Sequence, residues 1–198
     1  MSIRSERLAT PFGEVVLVEG ATLEDVHPDE QALARTLTEK RRRELVGGRA
    51  ALRAAIGDYA EPIGSDDRGA PSLSLGWSGS ISHKGDVAAA IAAPLAHGHV
   101  GVDLERAAPS RVDISRRILT PRELALLPAD PRAVTLRFSI KEAIYKAIDP
   151  VVRRYVGFQE VELDFEGDTC TVTTRIPLAI EAAWREHAGF WVSVARAR

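Results

Sequence analysis

The hydrophobic and polar positions along this chain follow the two periods that distinguish strands from helices. Alternating or β-branched runs predict strands over residues 13–18, 72–75, 80–82, 87–92, 99–104, 161–165, 169–175 and 190–195. Apolar residues at helical spacing predict helices over 28–37, 39–56, 114–127 and 136–148, and we expect one more between Leu178 and His187. This mixture predicts an α+β fold.

Two helices contain residues that disfavour helical structure. Gly47 and Gly48 lie in the middle of the 39–56 segment, where each costs about 1 kcal/mol relative to alanine. Either the helix breaks there, or another part of the chain approaches its backbone closely, and the sequence does not decide between them. Asp149 and Pro150, directly after the 136–148 segment, predict the end of that helix.

The chain also carries a weak internal repeat. The segment 49–56 aligns with 141–148, and downstream of each a glycine, Gly85 or Gly189, precedes a predicted strand. Such a repeat indicates two α+β halves of similar structure.

Length, charge and cysteine content narrow the class of protein. The 198 residues, 45% of them hydrophobic, suffice for one large domain or two small ones. A net charge of −2 argues against nucleic-acid binding through bulk charge. Cys170 is the only cysteine, which excludes an internal disulfide and indicates a reducing compartment. Without a membrane-spanning apolar run or a signal-peptide core, we expect a cytoplasmic protein with neither nucleic-acid nor membrane partners.

Three carboxylates form the strongest candidate for chemistry. Asp103 and Glu105 are two apart in a strand and therefore project to the same face. On the later helix, Glu142 and Lys146 lie one turn apart and can address one site. Acids bordered by lysines suit a hard cation that holds a phosphate-bearing substrate. The alternative interpretation is purely structural. Asp103 and Glu105 would be polar residues at an exposed strand end, and Glu142 and Lys146 would form a solvent-exposed salt bridge.

Arginines form a second candidate. Arg42, Arg49 and Arg53 share one face of the 39–56 helix, beside an apolar stripe. These arginines can simply form the solvent-exposed face of an amphipathic helix. However, no acid is interleaved on that face, and a bound phosphate would relieve the repulsion among them.

Four segments resemble motifs of the 4'-phosphopantetheinyl transferase superfamily, in that family's order. Gly101-Val-Asp-Leu-Glu105 and Phe138-Ser-Ile-Lys-Glu-Ala-Ile-Tyr-Lys146 are similar to its signature pair. Gly79-Ser-Ile-Ser-His-Lys-Gly85 resembles a third motif, and Gly48-Arg-Ala-Ala-Leu-Arg53 resembles the basic helix of the monomeric, siderophore-synthase-type branch. The resemblance covers residues 40–163, most of the chain.

The resemblance implies a fold and a reaction. We expect two α/β halves related by a pseudo-twofold axis, with the site in the cleft between them: residues 1–98 for the coenzyme A nucleotide, and 99–198 for the metal and catalytic acids. The implied enzyme transfers the 4'-phosphopantetheine arm of coenzyme A to a serine of an apo acyl or peptidyl carrier protein and releases 3',5'-ADP. It would act as a monomer that meets its carrier transiently.

The resemblance also assigns roles to residues. Mg²⁺, or Mn²⁺, would be held by Asp103, Glu105 and Glu142, with Glu142 and Lys146 catalytic. Coenzyme A would be contacted by Arg42, Arg49, Arg53, Ser82, His83, Lys84, Asp103 and Lys146. One departure stands out, because Ala70 occupies the position of a phosphate-binding lysine in the family's Gly-Lys-Pro segment. Arg68 is the alternative contact there.

The carrier protein is expected to dock on residues 107–127. Apolar Ile114, Ile118 and Leu119 would contact it, while Arg111, Arg116 and Arg117 would steer its acidic surface. Lys141 would either neutralise phosphate charge or face the carrier.

Two rival functions remain from the sequence. One is a non-catalytic binder of coenzyme A or carrier protein, which would have no need of Glu142. The other is an unrelated Mg²⁺ phosphohydrolase, which would release phosphate without a carrier acceptor.

Overall fold

The computed structural model describes residues 3–57, 59–74, 76–166 and 169–198. The helices are α1 (Pro28–Arg35), α2 (Glu39–Ile56), α3 (Ser115–Ile118), α4 (Pro121–Ala125) and α5 (Ala133–Val152). The strands are β1 (Arg4–Thr10), β2 (Gly13–Glu19), β3 (Gly64–Ser65), β4 (Pro71–Ser72), β5 (Trp77–Lys84), β6 (Val87–Pro94), β7 (His99–Arg106), β8 (Val161–Glu166), β9 (Thr169–Thr174), β10 (Ile180–His187) and β11 (Phe190–Ala197). Short 3₁₀ turns lie at Leu23–Asp25, Leu95–His97 and Phe158–Glu160.

The two main sheets repeat one arrangement. The first sheet has the order β1-β2-β6-β5 and the second β10-β11-β7. In each half a strand, a long helix and a hairpin follow in sequence: β2, α2 and β5–β6, then β7, α5 and β10–β11. Gly85 and Gly189 occupy the two hairpin turns, with φ of 65° and 77°. The predicted α+β fold of two similar halves is confirmed.

The halves form four layers. A central core lies between the sheets and includes Val15, Ile91, Val102 and Val192. Helix α2 covers the other face of the first sheet, and α5 covers that of the second. No helix of the described residues is long and apolar enough to span a bilayer. The chain passes from the first sheet to the second between Pro94 and His99. The assignment of separate roles to residues 1–98 and 99–198 stays a prediction.

The sequence-based element assignments were wrong at several places. The segment predicted as a helix between Leu178 and His187 is the strand β10, because it pairs along its whole length with β11. Its alternate residues Ile180, Ala182 and Trp184 pack beneath α5, which is strand periodicity hidden among helix-forming residues. The N-terminal strand β1 was not predicted at all.

Other boundaries moved. Helix α5 continues through Pro150 to Val152 and ends at Arg153, whose φ is 48°. The 114–127 segment, predicted to be mostly helical, forms two short helices, α3 and α4, with Leu119 and Thr120 between them. The predicted strand 72–75 is reduced to the two residues of β4, and Leu75 lies outside the described residues.

The question left open at Gly47 and Gly48 is answered by close packing. Helix α2 is continuous through both residues. A Cβ at Gly48 would lie 2.7 Å from Ile81 Cγ2 on β5, and one at Gly47 would lie 3.3 Å from Ala88 Cβ. The glycines therefore let α2 settle directly on the sheet.

Serine side chains join the edges of the two sheets. Strands β5 and β7 lie side by side but belong to separate sheets. The hydroxyls of Ser78, Ser80 and Ser82 accept hydrogen bonds from the backbone N–H groups of Val100, Val102 and Leu104, at 3.0, 3.1 and 3.2 Å. The edge of β7 is thereby satisfied without a continuous backbone ladder.

Gly101 permits the closest approach in the second half. A Cβ at this position would lie 2.0 Å from the carbonyl oxygen of Ala143 and 2.8 Å from the backbone nitrogen of Ala147, both on α5. Because these atoms are backbone, they cannot rotate away as a side chain could.

We therefore expect Gly101→Ala to lower the free energy of unfolding by at least the roughly 1–3 kcal/mol typical of overpacking. Urea denaturation of both proteins measures the difference. Gly157→Ala is the matched control, since its Cβ would meet only Glu160 Oε1 at 3.7 Å. A Gly101→Ala protein as stable as wild type would contradict this packing.

Candidate active site

A cleft of about 820 Å³ lies between the two halves. One wall consists of α2, the loop 65–72 and β5. The opposite wall is the end of α5, including Tyr145, Lys146 and Asp149. This is the position predicted for the site.

Asp103 lies behind the wall of this cleft, in contact with the lining residue Lys146, and does not line the cleft itself. Its side chain is almost fully buried, at 5% exposure. Oδ1 accepts hydrogen bonds from Ser82 Oγ at 3.0 Å and from Lys146 Nζ at 2.9 Å. Lys146 also donates to the carbonyl oxygen of Val102 at 2.9 Å and lines the cleft. It therefore links the cleft to the buried acid.

The other two predicted acids lie near Asp103. Glu105 pairs with Lys84, with Oε2 and Nζ 2.5 Å apart. Burial raises the pKa of the Glu142 carboxyl; the negative charges of Asp103 and Glu105 raise it further, while Lys146 opposes them. The charges of Asp103 and Glu105 thus act on Glu142, and the assignment of the three acids to one metal site stays a prediction.

The donor set fits a hard divalent cation. In the described part of the chain, no three His, Cys, Asp or Glu side chains already converge as a metal cage, and lysines lie on two of the acids. Yet Asp103 Oδ2 is buried without a hydrogen-bond partner among the described residues. An orphaned carboxylate oxygen beside two further acids has the chemistry of a site for an oxygen-binding ion.

The residues of the third motif, Gly79–Gly85, do not all reach the cleft. His83 lines the cleft, and its Nδ1 lies 3.8 Å from Glu44 Oε1 on α2. Ser82 points instead into the seam between the sheets, where it orients Asp103. Lys84 is bound to Glu105 and lies away from the cleft wall. Direct contact of Ser82 and Lys84 with coenzyme A stays a prediction.

The predicted arginine stripe is divided in the structure. Arg42 Nε donates to the carbonyl oxygen of Ala34 at 3.1 Å, which ties α2 to α1. Arg53 Nη2 donates to the buried Glu30 Oε1 at 2.6 Å. Neither residue lines the cleft. The premise that these charges lack structural partners was wrong, because the partners lie 8 and 23 residues away in sequence.

Arg49 alone of the three reaches the cleft wall. Its Nε donates to the carbonyl oxygen of Ile63 at 2.9 Å, and its Nη2 to Gly64 O and Ser65 Oγ at 2.7 and 2.8 Å. Sequence reasoning missed Arg41, which also lines the cleft and pairs with Glu44 at 2.9 Å. No apolar periodicity distinguishes Arg41 from its basic neighbours, so no sequence signal could have selected it.

The loop that replaces the Gly-Lys-Pro segment is fastened across the cleft. Arg68 binds Asp149 on α5 through three hydrogen bonds: Nε donates to Oδ2 at 2.7 Å and to Oδ1 at 2.9 Å, and Nη2 donates to Oδ1 at 2.6 Å. Arg153 pairs with Asp67 at 2.8 Å. Both Arg68 and Ala70 line the cleft.

Lys141 has neither of its predicted roles. It is fully buried, and its Nζ donates to Glu123 Oε2, Ile118 O and Phe158 O at 2.7, 2.8 and 3.0 Å. Because Lys141 is followed by the charged Glu142 and lies near Lys146, the sequence suggested a polar face and did not reveal that Lys141 points into the core.

The predicted docking segment also needs correction. Ile118 and Leu119 are buried, at 1% and 0% exposure, and cannot contact a partner. Val112 and Leu126 are the large exposed apolar side chains of this segment, and Arg111, Arg116 and Arg117 are exposed in it as well.

Comparison with known proteins places the chain in a family. The profile of the 4'-phosphopantetheinyl transferase superfamily matches residues 99–195, and that of the 4'-phosphopantetheinyl transferase N-terminal domain matches residues 29–93. The 4'-phosphopantetheinyl transferase PptT of Mycobacterium tuberculosis is 31% identical over 156 residues, 75% of this chain and 69% of that protein. This chain belongs to the 4'-phosphopantetheinyl transferase superfamily. The resemblance seen in its motifs is confirmed.

Other relatives of this phosphopantetheinyl transferase superfamily member agree. The 4'-phosphopantetheinyl transferase Npt of Nocardia iowensis is 36% identical over 147 residues, 71% of this chain and 66% of that protein. Enterobactin synthase component D of Salmonella typhimurium is 35% identical over 124 residues, 57% of this chain and 50% of the relative. The chain thus spans about two thirds or less of the length of these two relatives. The holo-[acyl-carrier-protein] synthase of Helicobacter pylori, solved with coenzyme A, superposes with a TM-score of 0.42 at 20% identity, over 50% of this chain and 99% of that one.

Ser78, Ser80 and Ser82, which join the two sheets and which we call the serine seam, lead to a testable prediction. Ser80 and Ser82 should contribute equally to stability but differently to activity. Ser80→Ala and Ser82→Ala each remove one hydroxyl that accepts a β7 backbone N–H, so both variants should lose about 1–3 kcal/mol of stability. Only Ser82→Ala also frees Asp103. We expect phosphopantetheine transfer by the Ser82→Ala protein to fall well below that of the equally destabilised Ser80→Ala protein. Equal activities would show that Ser82 does not position Asp103.

Proposed function

We propose that this protein transfers the 4'-phosphopantetheine arm of coenzyme A to a serine hydroxyl of an apo acyl or peptidyl carrier protein. The observation that carries the proposal is Lys146, which lines a ligand-sized cleft and bonds to the buried acid Asp103. A volume of about 820 Å³ lies within the range of small-molecule and cofactor sites. A polyanionic substrate in the cleft would therefore present a phosphate to the acid cluster.

The cleft offers cationic side chains to a coenzyme A nucleotide, beside the acids Glu44, Asp66 and Asp149. Arg41, Arg49 and His83 line the first half, and Lys146 faces them from the second. Arginine suits phosphate through its planar set of donors. We assign the 3'-phosphate of coenzyme A to Arg41 and Arg49, and the pyrophosphate to the neighbourhood of His83 and Lys146.

The reaction follows from the acid cluster. The carrier serine oxygen forms a bond to the β-phosphorus, and the bond from that phosphorus to 3',5'-ADP breaks. Glu142 accepts the serine proton, directly or through water, which suits a carboxyl whose pKa is raised by burial. Lys146 donates a hydrogen bond to the phosphate on which charge develops. Mg²⁺ or Mn²⁺, held by Asp103, Glu105 and Glu142, supplies positive charge against the phosphates when bound.

The carrier docks, in this proposal, beside α3 and α4. Val112 and Leu126 offer exposed apolar contacts, and Arg116 and Arg117 offer positive charge. The single chain supplies both walls of the cleft, so we propose that it acts as a monomer, in the cytoplasm where its single cysteine stays reduced.

The metal and acid roles are tested with apo-carrier proteins, coenzyme A and Mg²⁺, by weighing the carriers. Asp103→Asn and Glu142→Gln should each reduce transfer about 10²–10⁴-fold because each removes a charge or a proton acceptor at the reacting phosphate. The exposed Glu14→Gln is the control. Full activity in a chelator would defeat the metal role. Phosphate release without a carrier would indicate a hydrolase, and coenzyme A binding without any gain in carrier mass would indicate a binder.

The division among the arginines is tested with 3'-dephospho-coenzyme A. Wild-type protein should bind coenzyme A about ten- to hundredfold more tightly than this analogue, as expected for a charge-assisted contact. Arg41→Gln should erase most of that preference in calorimetric titrations. Arg53→Gln removes the same charge from the same helix but breaks the contact with Glu30, so it should lower stability and keep the preference. The reverse outcome would restore the original assignment of Arg53.

Carrier docking is tested by reversing charge. Arg116→Glu combined with Arg117→Glu should raise the Michaelis constant for the carrier and leave that for coenzyme A unchanged. Arg4→Glu combined with Arg175→Glu changes the net charge equally at exposed positions elsewhere and controls for bulk electrostatics. Identical effects of both pairs would place the docking surface elsewhere.

A further inference from the structure

A second cavity, of about 570 Å³, lies in the C-terminal half. Phe165 of β8, Trp184 of β10 and Trp191 of β11 form aromatic walls, and the first turns of α5 close it with Ala133 and Arg137. Among the described residues, it shares no lining residue with the cleft between the halves. The acid cluster makes no use of it.

Arg137 is buried in this cavity with a donor to spare. The residue is only 6% exposed, and its guanidinium stacks on the Phe165 ring, 4.2 Å from the centroid. Nη1 donates to the carbonyl oxygen of Ala133 at 3.2 Å. Nε is buried and has no hydrogen-bond partner within the described ranges. Stacking occupies a face of the guanidinium, so the in-plane N–H remains for a ligand.

Trp191 presents a second unused donor. Its side chain is 8% exposed, and its Nε1 is likewise buried without a partner in the described part of the chain. A buried indole N–H usually finds an acceptor. Two lining residues therefore each have an N–H group that needs one.

The acids at the mouth of the cavity are already engaged. Asp130 and Glu186 both bind Arg132, at 3.1 and 2.9 Å. The beginning of α5, at Ala133, adds the positive end of a 20-residue helix to the cavity wall. The cavity thus combines apolar aromatic walls with unsatisfied donors and favours a negatively charged occupant.

We propose that this cavity binds a small organic carboxylate with a flat apolar body. The carboxylate accepts from Arg137 Nε and Trp191 Nε1, and its apolar body packs against the exposed edges of the aromatic rings, since Phe165 and Trp184 already pack on each other at 5.1 Å and Arg132 stacks on Trp191. Inorganic phosphate offers the charge without the apolar body, and a neutral aromatic alcohol offers the body without the charge. This pair of properties separates the proposed ligand class from general anion binding and from general hydrophobic binding.

The test uses the full chain with ¹⁵N-labelled tryptophan and follows the indole N–H signals by NMR. The Trp191 signal is identified by its loss in Trp191→Phe. Titration with 2-naphthoate should shift this signal saturably. The neutral analogue 2-naphthalenemethanol should bind at least about tenfold more weakly, as expected for the loss of a charged hydrogen bond, and phosphate should not shift it. Equal affinity for acid and alcohol, or no shift by the acid, would overturn the proposal.

Coenzyme A serves as the positional control. Trp77 lines the cleft between the halves, so coenzyme A should shift the Trp77 signal and leave that of Trp191 in place. Competition between coenzyme A and 2-naphthoate for one site would contradict a separate cavity.

Variants test whether Arg137 supplies the positive charge that binds the carboxylate of the ligand. Arg137→Gln should lose the preference for acid over alcohol, whereas Arg185→Gln, an exposed arginine at the same cavity, should keep it. Retained preference in a folded Arg137→Gln protein, checked by circular dichroism, would overturn the proposal. If that variant does not fold, Trp191→Phe decides: it keeps an aromatic wall but removes the indole donor, so its affinity for 2-naphthoate, followed at Trp184, should fall. Unchanged affinity there would equally refute the assignment.

Discussion

The buried ion pair between Lys141 and Glu123 is the contact on which the position of α5 depends. Glu123 accepts from the backbone N–H groups of Thr120 and Leu163 at 2.7 and 3.0 Å, besides binding Lys141 at 2.7 Å. Loss of one partner from such a buried pair typically costs about 3–5 kcal/mol, because the other charge is left uncompensated. The pair therefore fixes α5 against both α4 and β8. Since Glu142 is the next residue on that helix, the same contact sets the direction from which Glu142 approaches β7.

In each half, one glycine allows the long helix and a strand of the sheet to pack closely. In the first half the glycine belongs to the helix, where Gly48 admits Ile81. In the second half it belongs to the strand, where Gly101 admits the backbone of α5 at Ala143. Each contact brings a long helix down onto its sheet, and both the first half of α2 and the last turns of α5 line the cleft. The geometry of the site therefore follows from packing that is repeated in the two halves.

The features predicted correctly from the sequence are those encoded locally. Asp103 and Glu105 share a face because a strand repeats every two residues, and Glu142 and Lys146 lie one turn apart because a helix repeats every 3.6 residues. The errors arose where the partner lies far along the chain. Arg53 looks uncompensated until Glu30, 23 residues earlier, is folded beside it. Strand β10 has helix-forming composition and becomes a strand through pairing with β11. The internal repeat did contain that information, because a strand precedes Gly85 and should therefore precede Gly189.

The serine seam specifies the relative register of the two halves through side chains alone. Ser78, Ser80 and Ser82 alternate with Gly79, Ile81 and His83 along β5. A slip of one residue would turn glycine, isoleucine and histidine towards β7, and none of these could replace three short hydroxyls at that spacing. The same slip would withdraw Ile81 from α2 and His83 from the cleft. Three hydroxyl groups therefore keep the two walls of the cleft in register.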